Sequence, residues 1–161
     1  MKTREQIDMY VKDMSEADFG IGYNTGQVMK AMQISIIAHD GQVRPRGVEK
    51  GKPYFTHPAR VAEQFSDWKF QAIGYLHDVI EDTGFTESDL YKMGVDADVV
   101  RTVKMLTKKE GENYFEFIMR MKDDPIANSI KDADLEDNMA TLEEGSLKDK
   151  YRFAQYILGK A

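Results

Sequence analysis

Apolar residues recur at spacings of three and four along almost the whole chain, and no run of strict alternation bounded by turn residues interrupts them. That pattern predicts an all-α protein. Residues 26 to 38, "GQVMKAMQISIIA", place Val28, Met32 and Ile36 on one helical face. They run into "GQVRPRGVEKGKPYF", a stretch too broken by glycine, proline and lysine for a regular element. A helix starts at about His57, where "HPARVAEQF" puts a proline in the first turn and Val61, Ala62 and Phe65 continue an apolar face. Residues 67 to 82 read as another amphipathic helix, ended by "TGF", after which Thr86 is the predicted cap of the next. Helices over 96–107, 112–122, 125–142 and 147–158 follow, the last with Ser146 and Asp149 as a capping-box variant. No internal repeat, low-complexity tract or linker is visible.

With 161 residues and 42% hydrophobic content, the chain can bury one sizeable core. A single compact helical domain is therefore expected. There is no cysteine, which leaves imidazole and oxygen as the only metal ligands and fits a cytoplasmic setting. No stretch approaches the roughly 18 consecutive apolar residues of a membrane span, and the N-terminus lacks the apolar run of a signal peptide. Neither export nor insertion is expected. A net charge of −6 and a pI near 5.1 argue against duplex nucleic acid as a partner and leave room for a small anionic ligand at a locally positive site. Oligomeric state is not legible.

One stretch resists a purely structural reading. "YLHDVIEDTG", residues 75 to 84, sets a histidine and three carboxylates in an otherwise apolar helix whose buried side is marked by Ala72, Ile73, Leu76 and Ile80. His77 belongs to that side; Glu81 follows it by one turn, and Asp82 follows Asp78 by one turn. Paired carboxylates leaving a core are costly unless a cation accompanies them. A solvated acidic C-terminal turn is the plainer alternative, although acids there oppose the helix dipole. Two further features shift the balance. His57 lies on the line through Val61 and Phe65, and in "DPIANSIKDADLEDNMATL" the isoleucines 126 and 130 are succeeded at intervals of four by Asp134 and Asn138. His57, His77, Asp78 and Asp134 together would offer two nitrogen and two carboxylate ligands to one divalent ion, a mixture suited to Mn²⁺, Fe²⁺ or Co²⁺, with Zn²⁺ also accommodated and Ca²⁺ disfavoured.

The pattern formed by His57, the pair His77–Asp78 and Asp134 resembles the HD-domain metal-dependent phosphohydrolases. "GKPYFTHPARVA", "YLHDVIEDT" and "IKDADLEDNM" are similar, in order and spacing, to the hydrolase domain of the RelA/SpoT alarmone enzymes and to stand-alone small alarmone hydrolases. The similarity runs from about residue 26 to 158, so residues 1–25 are expected to be a helical extension and 26–161 the HD-type domain. The resemblance implies that the four residues above are manganese ligands and that Glu81 and Asp82 are the catalytic acid pair. It implies that Asn138 lies beside a bound nucleotide, that Arg44 packs against its base, and that Lys108 and Tyr151 stand near its phosphates. Arg46 and Lys52 belong with Arg44 to a loop carrying four cations in nine residues, which could steer a polyphosphate inward. His39 of "AHDGQ" is expected to be structural.

The implied reaction is removal of the 3′-diphosphate of guanosine tetra- or pentaphosphate as pyrophosphate. Three features depart from the family pattern. The basic loop is long, Pro45 follows the arginine where a basic residue is usual, and Glu136 and Asp137 replace part of an arginine-leucine-histidine run, adding acidity expected near the pocket. These keep open another phosphohydrolase or phosphodiesterase activity on a nucleoside monophosphate, a reduced dinucleotide phosphate or a cyclic nucleotide, and also a non-catalytic nucleotide-binding module. No synthetase domain is visible, so removal of alarmones, not synthesis, is expected.

Overall fold

The computed structural model describes residues 1–160; Ala161, the last residue of the expected domain, lies outside the described residues. It contains ten α-helices: α1 (Arg4–Ser15), α2 (Tyr23–Ala38), α3 (Thr56–Glu63), α4 (Trp68–Leu76), α5 (Val79–Asp82), α6 (Glu87–Lys92), α7 (Ala97–Met105), α8 (Tyr114–Met121), α9 (Pro125–Thr141) and α10 (Ser146–Ile157). Among the described residues there is no β-strand, only an isolated bridge between Val43 and Pro53. Among the same residues no helix is long and apolar enough to cross a membrane.

At the centre, α4 packs chiefly against α2 and α3 and also touches α7 and α9. Its Ala72, Ile73 and Leu76 meet Ala31, Ile34, Val61, Val103 and Ile130 in one continuous core. Close approach depends on small residues. A Cβ at Gly74 would lie 2.7 Å from Ala62 Cα, so α3 and α4 touch nearly backbone to backbone.

Helix starts follow local chemistry. Thr86 caps α6 through a capping box with Asp89, and Asp67, Asp96, Asn113 and Asp124 cap α4, α7, α8 and α9. Three sequence expectations are corrected. Ser146 is the first helical residue of α10, whose N-cap is Gly145, so its hydroxyl stands one position too late to cap. The core face of α2 is Gln27, Ala31, Ile34, Ser35 and Ala38, while Val28 and Met32 are only partly buried and Ile36 is exposed. Gln27 decides this rotation by donating to Gly94 O and accepting from Asp96 N, which ties α2 to the α6–α7 turn. The helix expected over 67–82 is broken: α4 ends at Leu76, Asp78 adopts φ −101° and ψ −3°, and α5 is a single turn.

α1 contributes Ile7, Val11 and Met14 to the same core and is held at its start by Arg4, which donates two hydrogen bonds to the buried Asp89 carboxylate at 2.7 and 2.9 Å. Burial would raise the Asp89 carboxyl, but Arg4 and the Thr86 groups outweigh it and hold it below the usual carboxylate range. A depressed folded-state pKa means the stabilisation is complete above the unfolded value of about 4 and disappears as pH falls through the lower folded value. Asp89→Ala is therefore expected to lower unfolding free energy by about 1–3 kcal/mol at pH 7. In urea melts the difference from wild type should shrink as the pH drops below that unfolded value; a pH-independent difference would remove the ionic part of this account.

Candidate metal centre and active site

Three segments deliver four side chains to one point. His57 comes from the first turn of α3, His77 and Asp78 from the break between α4 and α5, and Asp134 from the middle of α9. In a continuous helix, successive residues point about 100° apart; the break lets neighbours 77 and 78 address a common centre. One ligand atom from each of the four lies within 4.8 Å of all the others. His57 Nε2 is 3.0 Å from Asp134 Oδ1 and 3.5 Å from Asp78 Oδ2, and His77 Nε2 is 3.1 Å from Asp78 Oδ2 and 3.5 Å from Asp134 Oδ1.

The hydrogen bonds behind the imidazoles test whether this cluster suits a cation. His77 Nδ1 lies 2.7 Å from Gly74 O, and His57 Nδ1 lies 2.7 Å from Asp137 Oδ2. A carbonyl and a carboxylate only accept, so both Nδ1 atoms carry protons and each ring, when neutral, presents its Nε2 lone pair inward. The two Nε2 atoms are buried without a hydrogen-bond partner. Two nitrogen acceptors and two carboxylates facing one another call for shared positive charge, and a divalent cation fits that donor set. The electrostatics agree. Burial disfavours charged imidazole at both histidines, yet Asp134 with Asp137 at His57, and Asp78 with Asp134 at His77, raise both above the ordinary histidine value.

Glu81 and Asp82 stand at the open rim beside this cluster. Together with Asp78, Lys108, Lys131 and Asp134 they line a cleft of about 230 Å³. Glu81 accepts from the Lys108 backbone N–H at 3.0 Å. Burial, then Asp78, raises the Glu81 carboxyl despite that bond, and burial with Asp78 and Glu81 pushes Asp82 up to about 6. A carboxyl that titrates close to neutrality is suited to proton transfer.

A second cleft of about 410 Å³ adjoins the first and shares Tyr54, Asn138 and Tyr151 with it. Arg44, Arg46 and Lys150 line it. Arg44 is buried, donates to Asn138 Oδ1 at 2.8 Å and lies 5.6 Å from the Tyr54 ring centroid. Asn138 in turn donates to Asp134 Oδ1 at 2.8 Å, so the larger cleft is wired to the cation site. Lys52 lines neither cleft; it is largely exposed beside Glu49. His39 stays outside the four-residue cluster, with Nδ1 2.7 Å from Gln42 Oε1 and its ring against Tyr54.

Several participants escaped sequence reasoning. The Tyr54 hydroxyl donates to Asp78 Oδ2 at 2.6 Å and lies 3.3 Å from Asp82 Oδ2, joining the ligand set to the acid pair. Lys131 Nζ lies 2.7 Å from Asp134 Oδ2 and 5.2 Å from the Phe117 ring centroid. Its position three residues before Asp134 on one helix was the available signal. The acidity expected from Glu136 and Asp137 does not reach the clefts: Asp137 is buried against His57 and Arg60, and Glu136 is exposed and accepts from Gln155.

No protein-family model matches the chain. A GTP pyrophosphokinase of Myxococcus xanthus is 32% identical over 149 residues, covering 81% of this chain and 19% of the relative. The bifunctional (p)ppGpp synthase/hydrolase SpoT of Escherichia coli K12 is 37% identical over 142 residues, covering 78% of this chain and 19% of the relative. The chain thus spans about a fifth of the length of these curated relatives. A solved structure of a metazoan SpoT orthologue, described as hydrolysing ppGpp and acting in starvation responses, superposes with a TM-score of 0.63 at 23% identity, covering 86% of this chain and 85% of that one. At that identity the likeness speaks for the fold.

Proposed function

We propose that this chain, similar over most of its length to the RelA/SpoT-type (p)ppGpp proteins, is a metal-dependent 3′-pyrophosphohydrolase that removes pyrophosphate from guanosine tetra- or pentaphosphate. The observation that carries this reading is the convergence of His57, His77, Asp78 and Asp134 immediately beside Glu81 and Asp82. Manganese is the proposed ion, held by those four residues, with Fe²⁺, Co²⁺ and Zn²⁺ compatible with the same donors. A divalent cation bound there would supply Lewis-acid stabilisation of phosphoryl charge and activation of water.

The chain's own groups account for the remaining demands. The larger cleft, lined by Tyr54, Asn138, Arg44 and Arg46, takes the nucleoside end. Arg44 offers its guanidinium plane to the base, while Lys108, Lys131 and Tyr151 border the smaller cleft and meet the 3′-diphosphate. Water attacks the phosphorus nearest the ribose, the bond from that phosphorus to the ribose 3′-oxygen breaks, and the 3′-oxygen takes up a proton. Glu81 and Asp82 receive the proton from water and return one to the leaving oxygen. The rest is positioning and charge stabilisation, which suits a site built without a serine or cysteine nucleophile.

The test is turnover of a panel comprising guanosine tetraphosphate, guanosine pentaphosphate, a nucleoside monophosphate, NADPH and a cyclic nucleotide, with Mn²⁺ and with chelator, products being resolved by anion exchange. Manganese-dependent pyrophosphate release from the two alarmones is expected. Turnover of another member alone would overturn the substrate and keep the reaction class, whereas metal uptake with no turnover would point to a nucleotide-binding module.

A further inference from the structure

We propose that Asp137 is a positioning residue of the metal centre, which fixes the tautomer of His57 so that its Nε2 lone pair faces the cation. The inference rests on the metal-site reading above and concerns a residue that lines neither cleft. His57 has two carboxylates on its Nε2 side, Asp134 at 3.0 Å and Asp78 at 3.5 Å. Left to those neighbours, the ring would place its proton on Nε2, donate it to Asp134 and lose the electron pair a metal needs. Asp137 reverses that preference from the opposite edge, its Oδ2 lying 2.7 Å from Nδ1. An anion behind the ring also makes Nε2 a stronger donor. His77 has no such support, because its Nδ1 meets only the neutral carbonyl of Gly74.

The geometry also explains how a buried acid tolerates this place. Arg60 Nε donates to Asp137 Oδ1 at 2.6 Å and a terminal Arg60 nitrogen donates to Oδ2 at 3.0 Å. The same guanidinium reaches Glu49 Oε2 at 2.7 Å. Asp137 is therefore paired on its outer side, which is what makes burial of its charge affordable. Glu49 sits in the 3-10 turn Gly47–Glu49 of the basic loop, so the chain Glu49–Arg60–Asp137–His57 links that loop to a metal ligand. Gly47 adds a second clip, since its φ of 72° and its closeness to the Thr141 carbonyl leave no space for a side chain.

The experiment compares the full-length wild type with Asp137→Ala and Asp137→Asn. Mn²⁺ affinity is measured by calorimetry, histidine tautomers by nitrogen NMR on metal-free and Zn²⁺-loaded protein, and melting temperature in chelator. Asp137→Ala is expected to weaken Mn²⁺ binding by roughly 10- to 100-fold and, at a pH alkaline enough for the metal-free ring to be neutral, to move the His57 proton from Nδ1 to Nε2. Asp137→Asn is isosteric and keeps an acceptor oxygen, so it should retain the Nδ1–H tautomer with a smaller loss of affinity; it also keeps the test open if the alanine variant does not fold. A lower melting temperature with unchanged Mn²⁺ affinity in both variants would assign Asp137 a structural role only and overturn the inference. Retention of Nδ1–H in the neutral ring of Asp137→Ala would do the same. Absence of Mn²⁺ uptake by the wild type would instead overturn the metal-site reading itself, before any variant is needed.

Discussion

Glu81→Gln combined with Asp82→Asn is expected to reduce hydrolysis by at least about 10²- to 10⁴-fold, the usual contribution of a positioned acid–base pair, while divalent metal content stays near the wild-type level. Neither side chain belongs to the four-residue cluster, and both stand at its rim. Stability adds a second readout with a definite sign. Both carboxyls are raised, Asp82 to about 6, by burial and by neighbouring carboxylates. Ionising a group with a raised folded-state pKa costs stability as pH climbs from the unfolded value of about 4 towards 6. In chelator, the amide variant should therefore melt no lower than wild type at pH 7, and its advantage should vanish below pH ~4. Loss of metal together with activity would show that the division between ligands and acid pair is wrong.

Asp134→Ala should have the largest structural effect. Asp134 lies 3.0 Å from His57 Nε2, pairs with Lys131 at 2.7 Å and accepts from Asn138 at 2.8 Å. Burial alone would raise its carboxyl, yet Lys131 and the two histidines hold it far below the ordinary range. Its removal leaves the Lys131 ammonium without a carboxylate partner beside Phe117, a loss of about 3–5 kcal/mol for a broken buried pair, and it deletes one of the four proposed metal ligands. Urea melts in chelator and metal analysis after dialysis against Mn²⁺ separate the two consequences. Adding Lys131→Met to Asp134→Ala should recover most of the stability and none of the metal, since the two residues share one interaction. Unaltered manganese occupancy in Asp134→Ala would remove the proposed centre.

Much of the fold was legible because it is local. The period of three to four, the cap at Thr86 and the proline in the first turn of α3 act within a few residues, and the helices lie within about two residues of their expected bounds from 96 onward. The face of α2 was misjudged because Gln27, polar by composition, is buried by bonds to Gly94 and Asp96, residues more than sixty positions away. The break at His77–Asp78 was missed for a related reason: apolar spacing continues smoothly across it, and the departure from helical geometry occurs where two adjacent side chains turn to one centre. The four clustered residues were suggested by spacing and resemblance together. Tyr54, Lys131 and the Arg60–Asp137 pair were not, because tyrosine, lysine, arginine and aspartate on helical or loop surfaces are ordinary until tertiary docking brings them together.

The contact between Gly74 and Ala62 has a mechanical consequence. Most distances inside a protein can be adjusted by a change of rotamer or by exchanging a leucine for a methionine, but two backbones already in contact have nothing left to compress. His57 stands on α3 and His77 directly follows the last residue of α4, each within five residues of the contact, with ring centroids 5.1 Å apart. Their separation therefore behaves as a rigid gauge, set once by the absence of a side chain. Drift elsewhere in the core can loosen or tighten the domain without resetting it.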